Sequence, residues 1–125
     1  MSTRHIGRAA ERIAAAFLEL TGHKILAANY VHAGREVDII ASTGDRIVFV
    51  EVKCRTNDAF GTPGQAVGGS KRKRIVHAAR AFLKERRLLS RSCRFDLIDV
   101  RIGRGGLSME LDHIPGAFGA DGRRW

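Results

Sequence analysis

The chain has 125 residues, of which 44% are apolar, and its 22 Lys and Arg against 13 Asp and Glu give a formal net charge of +9. This length holds one domain with a real core and excludes a second domain of useful size, while the apolar content excludes a disordered basic tail. Two cysteines are too few for a disulfide framework, and no run approaches the roughly 18 apolar residues of a membrane span. We therefore expect a cytoplasmic protein that does not enter a membrane, and its charge favours an anionic partner such as nucleic acid or an acidic surface.

The first half of the chain predicts one helix followed by three strands. Apolar residues recur every three or four positions from Arg4 to Leu20, which indicates an amphipathic helix. Three β-prone runs follow, at residues 24–32, 35–41 and 46–53, with a turn-like segment between the last two. These runs predict a three-strand meander.

The second half predicts a loop, a helix and two more strands. Residues 56–69 are rich in glycine and lack a sustained period, as a loop does, and an apolar stripe from Ser70 to Leu88 indicates the second helix. Strands are predicted at 94–102 and 107–113. The chain is therefore read as one α/β domain, residues 1–118, with a flexible C-terminal tail at 119–125. Its mixed sheet should be flanked by helices, and the strand after the second helix should run parallel to its partner.

Charged side chains interrupt the second and third strands, at Glu36, Asp38, Glu51 and Lys53. Side chains alternate along a strand, so the two charged residues of each strand share a face. A two-residue turn at Thr43–Gly44 would place Glu36 opposite Glu51, with Asp38 diagonal to Glu51. Three carboxylates and one ammonium would then cluster.

Crowded carboxylates repel each other and destabilise the sheet unless a cation offsets them. Mg²⁺ would do so, because it takes carboxylate and carbonyl oxygens, keeps several waters and often bridges to substrate phosphate. Lys53 beside it could position the attacking water or stabilise charge on a phosphate, which suits phosphodiester hydrolysis. The alternative is a solvated strand face with surface ion pairs, and the pattern alone leaves it open.

The second predicted helix is strongly basic. Residues 70–94 contain ten Lys and Arg against one acid, and four of these cations occupy the first turn. The helix dipole disfavours cations there, so a bound phosphate would explain their placement. We expect Lys71 and the preceding Gln65 to contact a nucleic-acid backbone, with an ordinary soluble helix end as the alternative.

A set of motifs spread over nearly the whole chain resembles the YraN-like family, small bacterial proteins predicted to be nucleases. The matching segments are Gly7–Glu11, Ala27–Tyr30, Gly34–Ile40, Val48–Arg55, Phe60–Gly61, Gln65–Val67, Lys71–Ile75, Arg94–Val100 and His113–Phe118. This resemblance implies a restriction-endonuclease-like fold of about five strands, related to archaeal Holliday-junction resolvases, with a PD-(D/E)xK-type site.

The resemblance also implies roles for particular residues. Asp38 matches the first acid of the motif, Glu51 the second and Lys53 its lysine, while Glu11 matches the helix-one acid of the resolvase-like branch. Val37 stands where the motif's strict proline would be, as is usual in this family.

The leading hypothesis is a Mg²⁺-dependent endonuclease, with Mn²⁺ as the alternative metal, that hydrolyses phosphodiester bonds of branched or otherwise structured DNA. Asp38, Glu51 and the Val52 carbonyl would bind the metal, Glu11 would assist through a water or a second metal, and Lys53 would position the attacking water. The backbone of the nucleic acid would be held by Arg55, Gln65, Lys71, Arg72, Lys73 and Arg74.

Two alternatives of other classes stay open. One is a nucleic-acid-binding module in DNA processing that does not cut, and the other is an RNA-binding protein associated with ribosomes or tRNA. A homodimer would suit a symmetric junction, although the sequence carries no interface signature.

Overall fold

A computed structural model describes residues 3–56 and 69–119. The helices and strands there are α1 (Thr3–Leu20), β1 (Lys24–His32), β2 (Arg35–Thr43), β3 (Arg46–Thr56), α2 (Gly69–Glu85), β4 (Cys93–Ile102) and β5 (Met109–Phe118), with a 3₁₀ turn at Arg104–Gly106. Both predicted helices and all five predicted strands are confirmed. The predicted loop, apart from its two end residues, and the predicted tail, apart from Gly119, lie outside the described residues. Neither described helix is long and apolar enough to cross a membrane.

The five strands form one sheet in sequence order. β1, β2 and β3 pair antiparallel as the predicted meander, β3 and β4 pair parallel, and β5 pairs antiparallel with β4. A parallel pair needs a crossover connection, and α2 lies within it. The mixed α/β sheet predicted from the sequence is therefore confirmed, including its parallel crossing.

Each face of the sheet carries one helix. Ala10, Ala14 and Leu18 recur every four residues on α1, so they share one side of the helix, and they pack with Val48 and Val50 of β3. The opposite face packs on α2, whose buried side chains are Ile75, Ala78, Ala79, Phe82 and Leu83.

Alternation along β3 decides where its charged residues point. Val48 and Val50 face α1, whereas Ile47 and Phe49 face α2. Continuing that alternation places the charged side chains of β3, at Glu51, Lys53 and Arg55, on the α2 side of the sheet.

The predicted register of the β2–β3 hairpin is wrong by two residues. The turn falls at Gly44–Asp45, Thr43 pairs with Arg46, and Ile39 pairs with Val50. Gly44 has φ +58°, as the first central residue of a type II′ turn requires. This explains why Gly44 is the second of the four turn residues and not the third, as the predicted turn would have it. A shift of two residues is even, so the register change alone moves no side chain to the other face. The predicted pairing of Glu36 with Glu51 is wrong, but both acids lie close enough to Asp38 for their charges to raise its pKa.

Both edge strands are interrupted. β1 shifts register between Ile25 and Ala27, and its Asn29 has φ +52°. β5 contains Pro115 and then Gly116 at φ +61°, next to a register shift against β4. The backbone of β1 is therefore irregular near its middle, and that of β5 near its end.

A fully buried carboxylate lies between β4 and β5. Asp96 accepts two hydrogen bonds from Arg94, at 2.7 and 2.8 Å, and one from the Gly116 N–H at 3.1 Å. His113 Nε2 lies 2.7 Å from its second oxygen. Burial alone would raise the pKa of Asp96, but the bonds from His113 and Arg94 outweigh it and hold the pKa below its usual range.

Candidate active site

The candidate site lies where β2 separates from β3. The last backbone pair of these strands is Ile39 with Val50, and beyond it the Val52 N–H donates to the Asp38 carboxylate at 2.8 Å. Val37 packs in the α2 core, whereas Ile39, two residues further along, packs in the α1 core. The alternation of side chains along β2 is therefore interrupted at Asp38. The carboxylate therefore stands in the opening between the two strands.

Asp38 and Glu51 meet in that opening. Burial, then the charge of Glu51, raises the pKa of Asp38 to about 7, and a hydrogen bond joins the two carboxyl groups. The pair that the sequence places on neighbouring strands is thus a close, partly buried diad, and Glu51 itself is only 3% exposed.

Glu11 reaches the same region from α1, across the sheet edge. Burial and the charge of Asp38 raise its pKa, and a side-chain hydrogen bond from Asn29 partly opposes that rise. Asn29 was not a candidate in the sequence, although its polar side chain inside a strand was a signal. Its positive φ is a conformation that Asn tolerates better than most residues.

Lys71 of α2 forms an ion pair with Glu51. Although burial disfavours its charge, the bond to Glu51 and the nearby carboxylates raise the pKa of Lys71 above its usual range. The sequence predicts Lys71 as a backbone contact, and the structure places it against the diad. No local sequence signal links Glu51 with Lys71, because the two residues lie twenty positions apart on different elements.

Lys53 and Glu11 line one cleft of about 280 Å³, together with Val52 and Lys71. We call it the central cleft. Arg55, two residues beyond Lys53, donates to Asp99 of β4 at 2.6 Å, and Asp99 is itself almost fully buried. Arg101 lies 3.5 Å from the same Asp99 oxygen. Arg55 is therefore held by β4, beside the cleft.

The remaining predicted backbone contacts are spread along the start of α2. Lys73 and Arg74 are exposed, whereas the Arg72 guanidinium lies 5.9 Å from the centroid of the Phe118 ring. Gln65 lies outside the described residues. α2 thus directs its first cations to different surroundings rather than to one patch.

The donor set has the chemistry of a hard-cation site. Within residues 3–56 and 69–119, no three His, Cys, Asp or Glu side chains converge closely enough to hold a metal ion. Asp38 and Glu51 offer oxygen ligands only, and Mg²⁺ commonly uses one or two carboxylates with waters and substrate phosphate. The diad, with the Val52 carbonyl as predicted, therefore fits Mg²⁺ or Mn²⁺ better than a metal that needs a complete protein shell.

The raised pKa of Asp38 predicts a pH dependence of stability in EDTA. A carboxyl that binds its proton more tightly when folded stabilises the protein fully below the unfolded pKa of about 4, and this contribution is lost as pH rises to about 7. The free energy of unfolding of the wild type should therefore fall between pH 5 and pH 8 relative to that of Asp38→Asn. Each pKa unit corresponds to about 1.4 kcal/mol, so the difference should reach a few kcal/mol at most.

Urea denaturation at a series of pH values measures this difference. Asp45→Asn is the matched control, because the Asp45 side chain is fully exposed and its replacement should leave the pH profile unchanged. Parallel profiles for the wild type and Asp38→Asn would contradict the prediction.

The open five-stranded mixed sheet, with a helix on each face, is consistent with a restriction-endonuclease-like fold. Residues 10–100 match the family described as "Uncharacterised protein family UPF0102". The chain belongs to this family, which is the YraN-like group of predicted nucleases, so the resemblance read from its motifs is confirmed.

Relatives from several bacteria cover nearly the whole chain. A UPF0102 protein of Nitratidesulfovibrio vulgaris is 45% identical over 94% of this chain and 87% of its own length. One of Moorella thermoacetica is 42% identical over 94% of this chain and 98% of its own. Among solved structures, Pyrococcus furiosus SfsA in complex with Ca²⁺ aligns with a TM-score of 0.40 and 16% identity, over 90% of this chain and 62% of that one.

Proposed function

We propose that this protein is a metal-dependent endonuclease that hydrolyses phosphodiester bonds of DNA. The observation that carries the proposal is the partly buried Asp38–Glu51 diad, whose ion-pair partner Lys71 lines the cleft that contains Lys53. Burial and the charge of Glu51 raise the pKa of Asp38, and a bound cation would offset the repulsion between the two carboxylates. Branched DNA as the substrate, Mn²⁺ as the alternative metal, a homodimer and a cytoplasmic location stay predictions.

The chain's own groups divide the chemistry among them. When bound, Mg²⁺ would supply Lewis-acid stabilisation of the charge that develops on the phosphate. Asp38 and Glu51 would hold it, and the Lys53 ammonium would position the water that attacks phosphorus. One ester P–O bond breaks as the water oxygen forms the new P–O bond; the water loses a proton to solvent, and the leaving oxygen takes one up. Lys71, released from Glu51, would stabilise a phosphate oxygen.

Calorimetric titration of Mg²⁺ and Mn²⁺ tests the metal site directly. Heat of binding is expected for the wild type with four-way-junction DNA present, and it should disappear in the Asp38→Ala/Glu51→Ala double variant. The same samples, analysed on denaturing gels, report cleavage. No metal binding in either protein would remove the basis of the nuclease proposal.

The Lys71–Glu51 ion pair favours a second candidate, a binding module that does not cut. In that case Lys71 neutralises the diad permanently and no divalent cation is required. DNA binding would then fall with salt and would not change on adding Mg²⁺. Competition with RNA of equal length and charge, at fixed salt, distinguishes a DNA partner from an RNA partner.

A further inference from the structure

Two further clefts adjoin the central cleft, and each shares one lining residue with it. The α1 cleft, about 180 Å³, is lined by Arg8, Arg12 and Asn29 and shares Glu11 with the central cleft. The α2 cleft is larger, about 490 Å³, and shares Lys71 with the central cleft. Its charged lining consists of Arg35, Glu36, Lys71 and Arg74. The three clefts are thus linked through Glu11 and Lys71, and Lys53 lines the middle one.

Cations mark both outer clefts. Arg8 and Arg12 are four residues apart on α1, so they project from the same helix face with Cβ atoms about 5–6 Å apart. In the α2 cleft three cations outnumber the single carboxylate of Glu36. Glu11 is the only acid lining the α1 cleft among the described residues. Each outer cleft is therefore lined by more positively than negatively charged side chains.

The arginines of the outer clefts differ from those that stabilise the fold. Arg55, Arg94 and Arg101 each bond a buried carboxylate. By contrast, Arg8, Arg12, Arg35 and Arg74 form no ion pair within 4.0 Å among the residues that the structure describes. A guanidinium that no carboxylate holds can bind phosphate oxygens with two parallel hydrogen bonds. The outer clefts are therefore suited to phosphate groups.

We infer that one nucleic-acid strand runs through all three clefts, with phosphates held by Arg8 and Arg12 on one side of the diad and by Arg35 and Arg74 on the other. A concave path with a cation pair at each end suits a strand that carries one phosphate per nucleotide, whereas an acidic membrane surface would need a convex or flat patch. The described residues enclose neither outer cleft, so the strand needs no free terminus to enter.

This inference deepens the proposed function, because the scissile phosphate at the diad rests on that proposal. The strand path itself does not depend on hydrolysis. It assigns three residues, Arg8, Arg12 and Arg35, that were not among the backbone contacts predicted from the sequence, and it makes internal bonds of a closed strand accessible to the site.

Fluorescence anisotropy in EDTA tests the path without cleavage. The double variants Arg8→Ala/Arg12→Ala and Arg35→Ala/Arg74→Ala should each weaken binding of a single strand about tenfold or more. Each should also reduce the slope of log K against log[salt] by about 1.4, since a single strand contributes about 0.7 per phosphate contact. The quadruple variant should lose both contributions together, because one strand contacts both ends.

The matched control is Arg46→Ala/Arg91→Ala, which removes the same charge at the opposite end of β3, where both side chains are exposed. It should leave the salt slope of the wild type unchanged. If the control lowers the slope as much as the cleft variants do, the effect depends on net charge alone and the strand path is overturned.

A covalently closed circular strand provides the second readout. It should bind as tightly as a linear strand of the same length, and a tenfold preference for the linear strand would show that an end is required and overturn the inference. These binding results separate the two proposals. Salt slopes that fall in the cleft variants as expected, together with no metal binding, would refute the nuclease alone, whereas metal-dependent cleavage with unaffected cleft variants would refute the strand path alone.

Discussion

Replacing Glu51 by Gln is expected to lower the rate of Mg²⁺-dependent DNA cleavage by at least about 100-fold. The substitution keeps the shape of the side chain but removes the charge of a nearly buried ligand. A bound metal contributes several kcal/mol of stabilisation to the transition state, and each 1.4 kcal/mol corresponds to about tenfold in rate. DNA affinity in EDTA should change only a few-fold, since the cations that hold the backbone remain.

Single-turnover cleavage of a labelled junction measures the rate, and circular dichroism checks that the variant folds. Glu36→Gln is the matched control, because Glu36 is an exposed acid on β2 that affects the diad only through its charge. It should retain a rate within about tenfold of the wild type. A factor of ten corresponds to about 1.4 kcal/mol, the free energy of one pKa unit, and we expect the charge of Glu36 to contribute less than that. Cleavage by Glu51→Gln at the wild-type rate would exclude Glu51 from the chemistry.

Arg94→Ala should lower the free energy of unfolding by about 3 kcal/mol, because removing one partner of a buried ion pair commonly costs about 3–5 kcal/mol. The variant leaves the fully buried Asp96 carboxylate with His113 and one backbone N–H as partners. For a domain whose total stability is about 5–15 kcal/mol, this is a large fraction.

Urea denaturation at pH 7 measures the loss. Arg91→Ala serves as the control, since Arg91 pairs with the fully exposed Asp45 at 3.7 Å and its removal should leave stability essentially unchanged. The double variant Arg94→Met/Asp96→Asn removes the buried charge as well and should be less destabilised than Arg94→Ala. Equal stability of the wild type and Arg94→Ala would show that His113 and the Gly116 N–H satisfy Asp96 without Arg94.

Periodicity predicted the two helices because each of them buries one face against the sheet. The spacing of Ala10, Ala14 and Leu18 follows directly from this packing, and the apolar run of β3 follows from the burial of both its faces between the helices. The hairpin register was not predictable from the same pattern, because Thr43–Gly44 and Gly44–Asp45 are both plausible two-residue turns. The preference of glycine for the first position of a type II′ turn decides between them.

The site was predicted only in part, for a different physical reason. Motif residues identified Asp38, Glu51 and Lys53, and the structure brings the first two into contact. The ion pair of Lys71 with Glu51 and the packing of Arg72 near Phe118 depend on how α2 crosses the sheet. Contacts between distant segments leave no periodic signal in the sequence, so a run of four cations reads as one patch although its members separate.

The irregular backbones of β1 and β5 have a consequence for self-association. A long, regular edge strand offers a row of unpaired N–H and C=O groups on which another sheet can grow. The positive φ of Asn29 in β1, and Pro115 with Gly116 in β5, break that row on both sides. A protein with an open sheet and exposed apolar side chains such as Leu107 and Met109 is thereby protected against fibrous assembly by its own edges. We therefore expect the sheet to gain no strand from a second chain at high concentration, and any specific pairing of two chains to use side-chain surfaces.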